Sequence, residues 1–234
     1  MTDDLLRAIP GAVVDEAGLA HVGAPHREQR DLAAGLALAP LGDRTVLAVE
    51  GPDRLSWLDS ITSQALTGLA AGESTELLVL DPQGHVEHAA GVVDDGERTW
   101  LIVDRERAAA LLTWLTRMRF RLRVDPQDLT GRAYVVGGTA AAVAALSTQA
   151  VWHDPWPGIV AGGWGYAAVL PHPGSERDWA EAIVDEVEFA RIARAAANGD
   201  QAIVGRLAAE ALRVAAWRPR VTAEAADGRL LPHE

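Results

Sequence analysis

An α+β fold is predicted for this chain, laid out as two successive strand-and-helix passes. Three observations predict it. Apolar runs of strand length alternate with stretches whose apolar residues recur every three or four positions. Glycine and proline fall mostly between these segments. A second strand-and-helix pass opens after Thr130-Gly131. The chain is accordingly divided into an N-terminal extension packing on the core (1–45), a first α+β subdomain (46–130) and a second (131–234).

The run 46–89 is the most explicit. Residues 46–49 form a short apolar strand closed by Gly51-Pro52, and Asp53 stands where an N-cap accepts the free amides of a first helical turn. Leu55, Leu58 and Ile61 give the following helix one buried stripe. Residues 77–80 are apolar throughout, which predicts a strand covered on both faces, and Asp81-Pro82-Gln83-Gly84 is a turn. Residues 86–93 and 99–103 predict a hairpin around Asp94-Asp95-Gly96. Asp104 then caps a helix with Ala108, Leu111, Leu112 and Leu115 on its core face.

From 117 to 124 arginine alternates with apolar residues, which predicts a strand with four arginines on one face. Two readings stand for it: a platform for an anionic tail such as polyglutamate, or an exposed face paired with acidic side chains. Farther on, residues 134–136 predict a strand, 139–146 a helix and 159–170 a strand pair. Between them Trp152-His153-Asp154-Pro155-Trp156-Pro157 is an aromatic, proline-stiffened loop, suited either to packing or to stacking on a flat ligand. Ser175 is expected to open a long helix with Trp179, Ile183 and Val187 on one face, ending at Asn198-Gly199; Asp200 caps the next.

At 234 residues, with 49% hydrophobic and 23% charged, the chain has the composition of an ordinary folded protein. No apolar run approaches the ~20 residues that span a bilayer, and the N-terminus lacks the basic start of a signal peptide, so a cytoplasmic location is expected. The net charge of −12 disfavours nucleic acid and anionic membranes as partners. All 21 basic residues are arginine and there is no cysteine. Schiff-base lysine chemistry, a Walker A lysine, thiol nucleophiles and disulfides are thereby excluded.

Two motif matches weaken in context. Gly163-Trp164-Gly165-Tyr166-Ala167-Ala168 fits G-x-G-x-x-A loosely but lacks the helix that must begin there. His85-Val86-Glu87-His88, on a strand, sends His88 away from the other two, so the segment alone closes no metal site. No nucleophile elbow is present.

Two stretches resemble a known family. Residues 49–53, 57–64, 69–72 and 82–86 follow its pattern of V-x-G-x-D, a W-L…T-x-Q helix, L-x-x-G and P-x-G-H-V; Glu210-Ala211-Leu212-Arg213 through Pro219-Arg220, then Leu231-Pro232-His233-Glu234, follow E-x-L-R…P-R and L-P-x-E. These resemble the YgfZ-like folate-binding proteins, relatives of the aminomethyltransferase (T-protein) of the glycine cleavage system. The resemblance implies an α+β folate-binding fold of two similar mixed-sheet subdomains, tetrahydrofolate as the ligand, and a role in iron–sulfur cluster assembly or repair with iron–sulfur proteins as partners.

It maps the folate-contacting arginine onto Arg213, whose guanidinium suits a carboxylate through two parallel charge-assisted bonds. A structural arginine closing its own helix end is the competing reading. Trp217 and Tyr166 are candidate stacking neighbours and Arg220 a further contact; no catalytic or metal-ligating residue is assigned. Where aminomethyltransferases carry a pterin-holding Glu this chain has Ala167, and the segment 84–89 lacks their catalytic Asp. The sequence also ends before the family's β-barrel and its K-G-C signature, so a truncated, split or reduced form is expected. Two rivals remain open: a T-protein-like aminomethyltransferase, and a non-catalytic interaction protein that has lost the pocket.

Overall fold

A computed structural model describes residues 2–162 and 169–221. In chain order the elements are α1 (Thr2–Arg7), β1 (Val13–Asp15), β2 (Gly18–His21), α2 (Pro25–Ala33), β3 (Ala39–Pro40), β4 (Arg44–Glu50), α3 (Arg54–Ile61), β5 (Ser74–Leu80), β6 (Val86–Asp94), β7 (Arg98–Asp104), α4 (Arg105–Met118), β8 (Asp125–Asp128), β9 (Ala133–Gly138), α5 (Ala140–Val143), β10 (Ala150–His153), α6 (Trp156–Gly162), β11 (Ala180–Asp185), α7 (Glu186–Asn198) and α8 (Arg206–Ala215). They group into two units, Met1–Asp43 with Gly131–Arg218, and Arg44–Thr130 with Pro219–Glu234.

In the second unit the described strands form one antiparallel sheet in the order β5-β6-β7-β4-β8. Leu47, Val49, Val92, Leu101 and Val103 meet Trp57 and Leu58 of α3 and Leu111 and Leu115 of α4 in its core. β5 lies at the sheet edge, with Leu77 and Val79 buried but Leu80 exposed. The expected two-sided burial is therefore corrected: an antiparallel edge strand covers one face only. The turn after it is as anticipated, with Gly84 at φ 88 donating to the Asp81 carbonyl at 3.0 Å. Asp53 and Asp104 do occupy N-cap positions, yet neither side chain caps its helix. Their carboxylates are drawn to arginines instead.

The stretch 117–124 is not a strand. α4 runs on to Met118, whose side chain packs against the core, and a turn follows before β8. Burial at the 3.6-residue period outweighs the local two-residue alternation. Pro126 lies in β8 at the other edge of the sheet, where a missing amide is tolerated.

The first unit is built on an antiparallel sheet in the order β10-β11-β9-β3, with β1 and β2 forming a separate hairpin. Val136, Ala182, Val184, Phe189 and Ile192 are among its core residues. The long helix expected from Ser175 is corrected here. Ala180–Asp185 is a strand paired on both sides, and only α7 is helical. Two neighbouring strands satisfy this backbone, and that tertiary pairing overrides the four-residue spacing of Trp179, Ile183 and Val187. Asp185 caps α7 by accepting from the Glu188 amide at 2.8 Å, and Gly199 closes it at φ 82. α5 is shorter than expected, and α8 begins after Gly205 rather than Asp200. Residues 156–162 are the helix α6 instead of a strand; positions 163–168 lie outside the described residues.

One buried carboxylate joins two distant segments of this unit, the chain entering α2 and the start of α8. Glu28 Oε1 accepts from the Val22 and Ala24 amides, each at 3.0 Å, and Oε2 accepts from the Gly205 amide at 3.0 Å. Gly205 is required at this crossing, because a Cβ there would lie 2.0 Å from the Ala20 carbonyl oxygen. The start of α8 is thereby fixed, and with it the segment that carries the candidate site.

Candidate functional site

α8 turns Ala208, Ala209 and Arg213 inward. Arg213 is buried and its guanidinium forks onto Glu210 one turn back, Nε to Oε2 at 2.9 Å and Nη2 to Oε1 at 2.7 Å. Its Nη1 donates to the Arg218 carbonyl, and the Arg218 amide donates to the Arg213 carbonyl at 3.1 Å. The chain from 213 to 218 is thus closed from both ends.

That closure places Trp217 in the left-handed region, at φ 53, with 48% of its surface exposed. The indole and His172 lie edge-to-face, centroids 5.4 Å apart at 86°, and His172 meets Trp156 at 5.9 Å and 73°. Edge-to-face aromatic contacts of this kind contribute about 0.5–1.5 kcal/mol beyond burial. His172 Nδ1 accepts from the Gly174 amide at 3.0 Å, so the neutral ring carries its proton on Nε2. Trp156 Nε1 donates to the Ala216 carbonyl at 2.9 Å. Gly174 makes room for this indole: a Cβ there would fall 2.3 Å from Trp156 Nε1.

Under the aromatic ladder lies a buried ion cluster. Asp154 accepts from Arg177 Nε at 2.7 Å, from Arg218 Nε at 3.1 Å and from the Trp156 amide at 3.1 Å. The Arg218 guanidinium stands 5.4 Å over the Trp156 ring, and that of Arg177 5.2 Å over Trp179. Burial is the main influence on Arg177 and lowers its pKa, with Asp154 acting in the opposite direction.

The structure therefore brings Arg213 and Trp217 into one unit, beside Trp156, His172, Arg177, Arg218 and Asp154. Arg220 belongs to the other unit, where Nε and Nη2 donate to Asp104 Oδ1 at 2.9 and 2.6 Å, beside Arg44 at 2.9 Å. Tyr166 and Ala167 lie outside the described residues. The sequence pointed to the Trp152–Pro157 loop but carried no sign of His172, Arg177 or Arg218, which reach the loop from 16 to 64 positions away.

Elsewhere, His85 is held by Asp81, Nδ1 to Oδ2 at 2.9 Å. His88 lies partly buried on β6, its Nδ1 has no hydrogen-bond partner among the described residues, and burial lowers its pKa. Among the described residues no group of three or more His, Cys, Asp or Glu side chains could hold a metal ion. No helix among them is long and apolar enough to cross a membrane.

No protein-family model and no curated protein matches the chain. By structure it is similar to the glycine cleavage system aminomethyltransferase T from Bartonella henselae, with a TM-score of 0.59 at 15% identity over 86% of this chain. That alignment covers 55% of the aminomethyltransferase, so this chain spans about half of its length. A heterotetrameric sarcosine oxidase from Corynebacterium sp. U-96 aligns with 76% of this chain and 95% of its own at 17% identity and a TM-score of 0.37, too loosely to argue from. The likeness to the aminomethyltransferase shows the fold: the α+β architecture expected from the sequence is the one found.

Proposed function

We propose that this chain is a tetrahydrofolate-binding protein of the YgfZ type, acting in folate-dependent assembly or repair of iron–sulfur clusters. The observation that carries the reading is the fold shared with an aminomethyltransferase over 86% of the chain. Two features of the first unit support it. Trp217 offers a half-exposed indole in edge-to-face contact with His172, suited to stacking against a flat ring. Arg213 presents a fork already filled by a carboxylate of this chain, with the Glu210 side chain 36% exposed and that of Arg213 10% exposed. A ligand carboxylate takes the same geometry by exchanging with Glu210. Tyr166 and Arg220 remain part of the proposed contact set.

Titration calorimetry with tetrahydrofolate tests the reading. Wild type is expected to bind. Arg213→Ala is expected to weaken binding at least about tenfold, since each charge-assisted bond contributes about 1.5–3 kcal/mol. Glu210→Ala, which removes the resident competitor, is expected to tighten it. Absence of heat with wild type removes the function, and equal affinity in Arg213→Ala removes the site. The fold neighbour's activity motivates one second reading, aminomethyl transfer to tetrahydrofolate. Against it stands Ala89 on β6, in the segment where that activity calls for an aspartate.

A further inference from the structure

The arginine-rich segment after α4 is a turn clamped at both ends, with its aromatic residue outside. Where α4 stops, Trp57 Nε1 donates to the Met118 carbonyl at 2.9 Å. On the far side Asp53 accepts from the Arg123 amide at 2.9 Å and from its guanidinium at 3.1 and 2.9 Å. Those bonds lower the pKa of the Asp53 carboxyl. Gly51 closes the same end, because a Cβ there would lie 2.1 Å from the Arg123 carbonyl oxygen. Between the clamps the Leu122 amide donates to the Arg119 carbonyl at 3.0 Å, and Phe120 sits at φ 45. A phenylalanine held in that region is strained.

The apex is open to solvent. Phe120 is 80% exposed and Leu122 43%, against the usual burial of such side chains. Of the four neighbouring arginines, Arg123 is held by Asp53 and Arg119 stands 3.6 Å from Asp125. Arg117 and Arg121 are exposed and have no partner among the described residues. An exposed aromatic on a clamped backbone, with uncommitted guanidiniums close to it in sequence, has the composition of a binding hot spot. Because the turn is already fixed, little is lost in ordering it.

We propose that this turn docks an acidic peptide segment of a partner protein, with Phe120 entering an apolar contact and Arg117 and Arg121 pairing with two carboxylates. Charge decides the class of partner. A protein that tracks a phosphate backbone neutralises about 6–10 phosphates. Two uncommitted arginines on a chain of net charge −12 do not supply such a field. They do match a pair of carboxylates beside one apolar side chain. This surface lies within the second unit and does not depend on folate binding.

The test uses the full chain and two dye-labelled dodecapeptides rich in glutamate, one with two central leucines and one with alanines there, read by fluorescence anisotropy. The leucine peptide is expected to bind at least about tenfold more tightly than the alanine peptide. The double variant Arg117→Glu/Arg121→Glu is expected to lose both peptides. Phe120→Gly, which holds a positive φ without strain, is expected to unfold at no lower temperature than wild type while losing the preference for leucine. Failure of wild type to bind either peptide overturns the proposal. So does equal affinity for the two, an unchanged preference in Phe120→Gly, or tighter binding to a single-stranded oligonucleotide or to phosphatidylserine vesicles.

Discussion

Each unit contains an aspartate gripped by two arginines, and the two sites use the same ions for different ends. In the first, Asp154 holds Arg177 and Arg218, whose side chains are only 8% and 10% exposed and lie against tryptophan faces. In the second, Asp104 holds Arg44 and Arg220, which are 24% and 17% exposed and tie the start of β4 and the segment after Pro219 to the head of α4. The buried pair is a spacer inside an aromatic stack, so its geometry is passed on to Trp156 and then to His172 and Trp217. The more exposed pair is a tie between segments far apart in the chain, with its arginines closer to solvent. Depth, more than bond count, separates a group that shapes a surface from one that fastens it.

The largest expected effect breaks the buried member. Asp154→Ala leaves two guanidiniums without their carboxylate and is expected to cost about 3–5 kcal/mol, whereas Asp104→Ala, whose arginines rehydrate more easily, costs about 1–3 kcal/mol. Urea denaturation followed by circular dichroism measures both, and equal losses would dissolve the contrast. Next is Gly174→Ala, whose methyl group would collide with Trp156 and the Ala216 carbonyl, at 2.3 and 2.9 Å. It is expected to cost about 1–3 kcal/mol and to shift tryptophan emission, while Gly158→Ala, a helical position with open space around it, gains about 0.5–1 kcal/mol.

A third prediction uses Asp94, in the second unit. Burial, the strongest single influence, opposes its charge, but bonds from Arg54 at 2.8 and 2.7 Å, from the Thr99 hydroxyl and from the Gly96 amide together lower its pKa. A lowered carboxyl pKa stabilises the fold above the unfolded value of about 3.9 and is lost as pH falls through the native one. Stability measured between pH 7 and 2 should therefore decline below about pH 4, and less steeply in Asp94→Asn. An identical slope in the variant would assign the acid sensitivity elsewhere. The smallest effect sharpens the comparison at an exposed position: Phe120→Gly relieves strain and is expected to gain about 1 kcal/mol.

Much of the second unit was legible in the sequence because its signals are local. Gly51-Pro52, Asp81-Pro82-Gln83-Gly84 and Asp94-Asp95-Gly96 each punctuate the chain where an element ends, and the elements between them form as expected. Residues 117–124 and 180–185 misled because two periodicities compete there and distant partners decide. Met118 is taken by Trp57, and Ala180–Asp185 by strands on both sides. At the candidate site a motif marked Arg213, but nothing along the chain indicates that Asp154 would collect arginines from positions 177 and 218. Ion clusters assembled across such separations leave no period to read.

Glu28 carries a consequence for mutational tolerance. Its two oxygens accept three main-chain amides from two stretches, 22–24 and Gly205, so every lone pair in use points at a hydrogen. Glutamine has nearly the same size, but its NH2 group would face the Gly205 amide hydrogen head-on, and aspartate falls one methylene short. In a saturation library scored for folding, this codon should return glutamate almost alone.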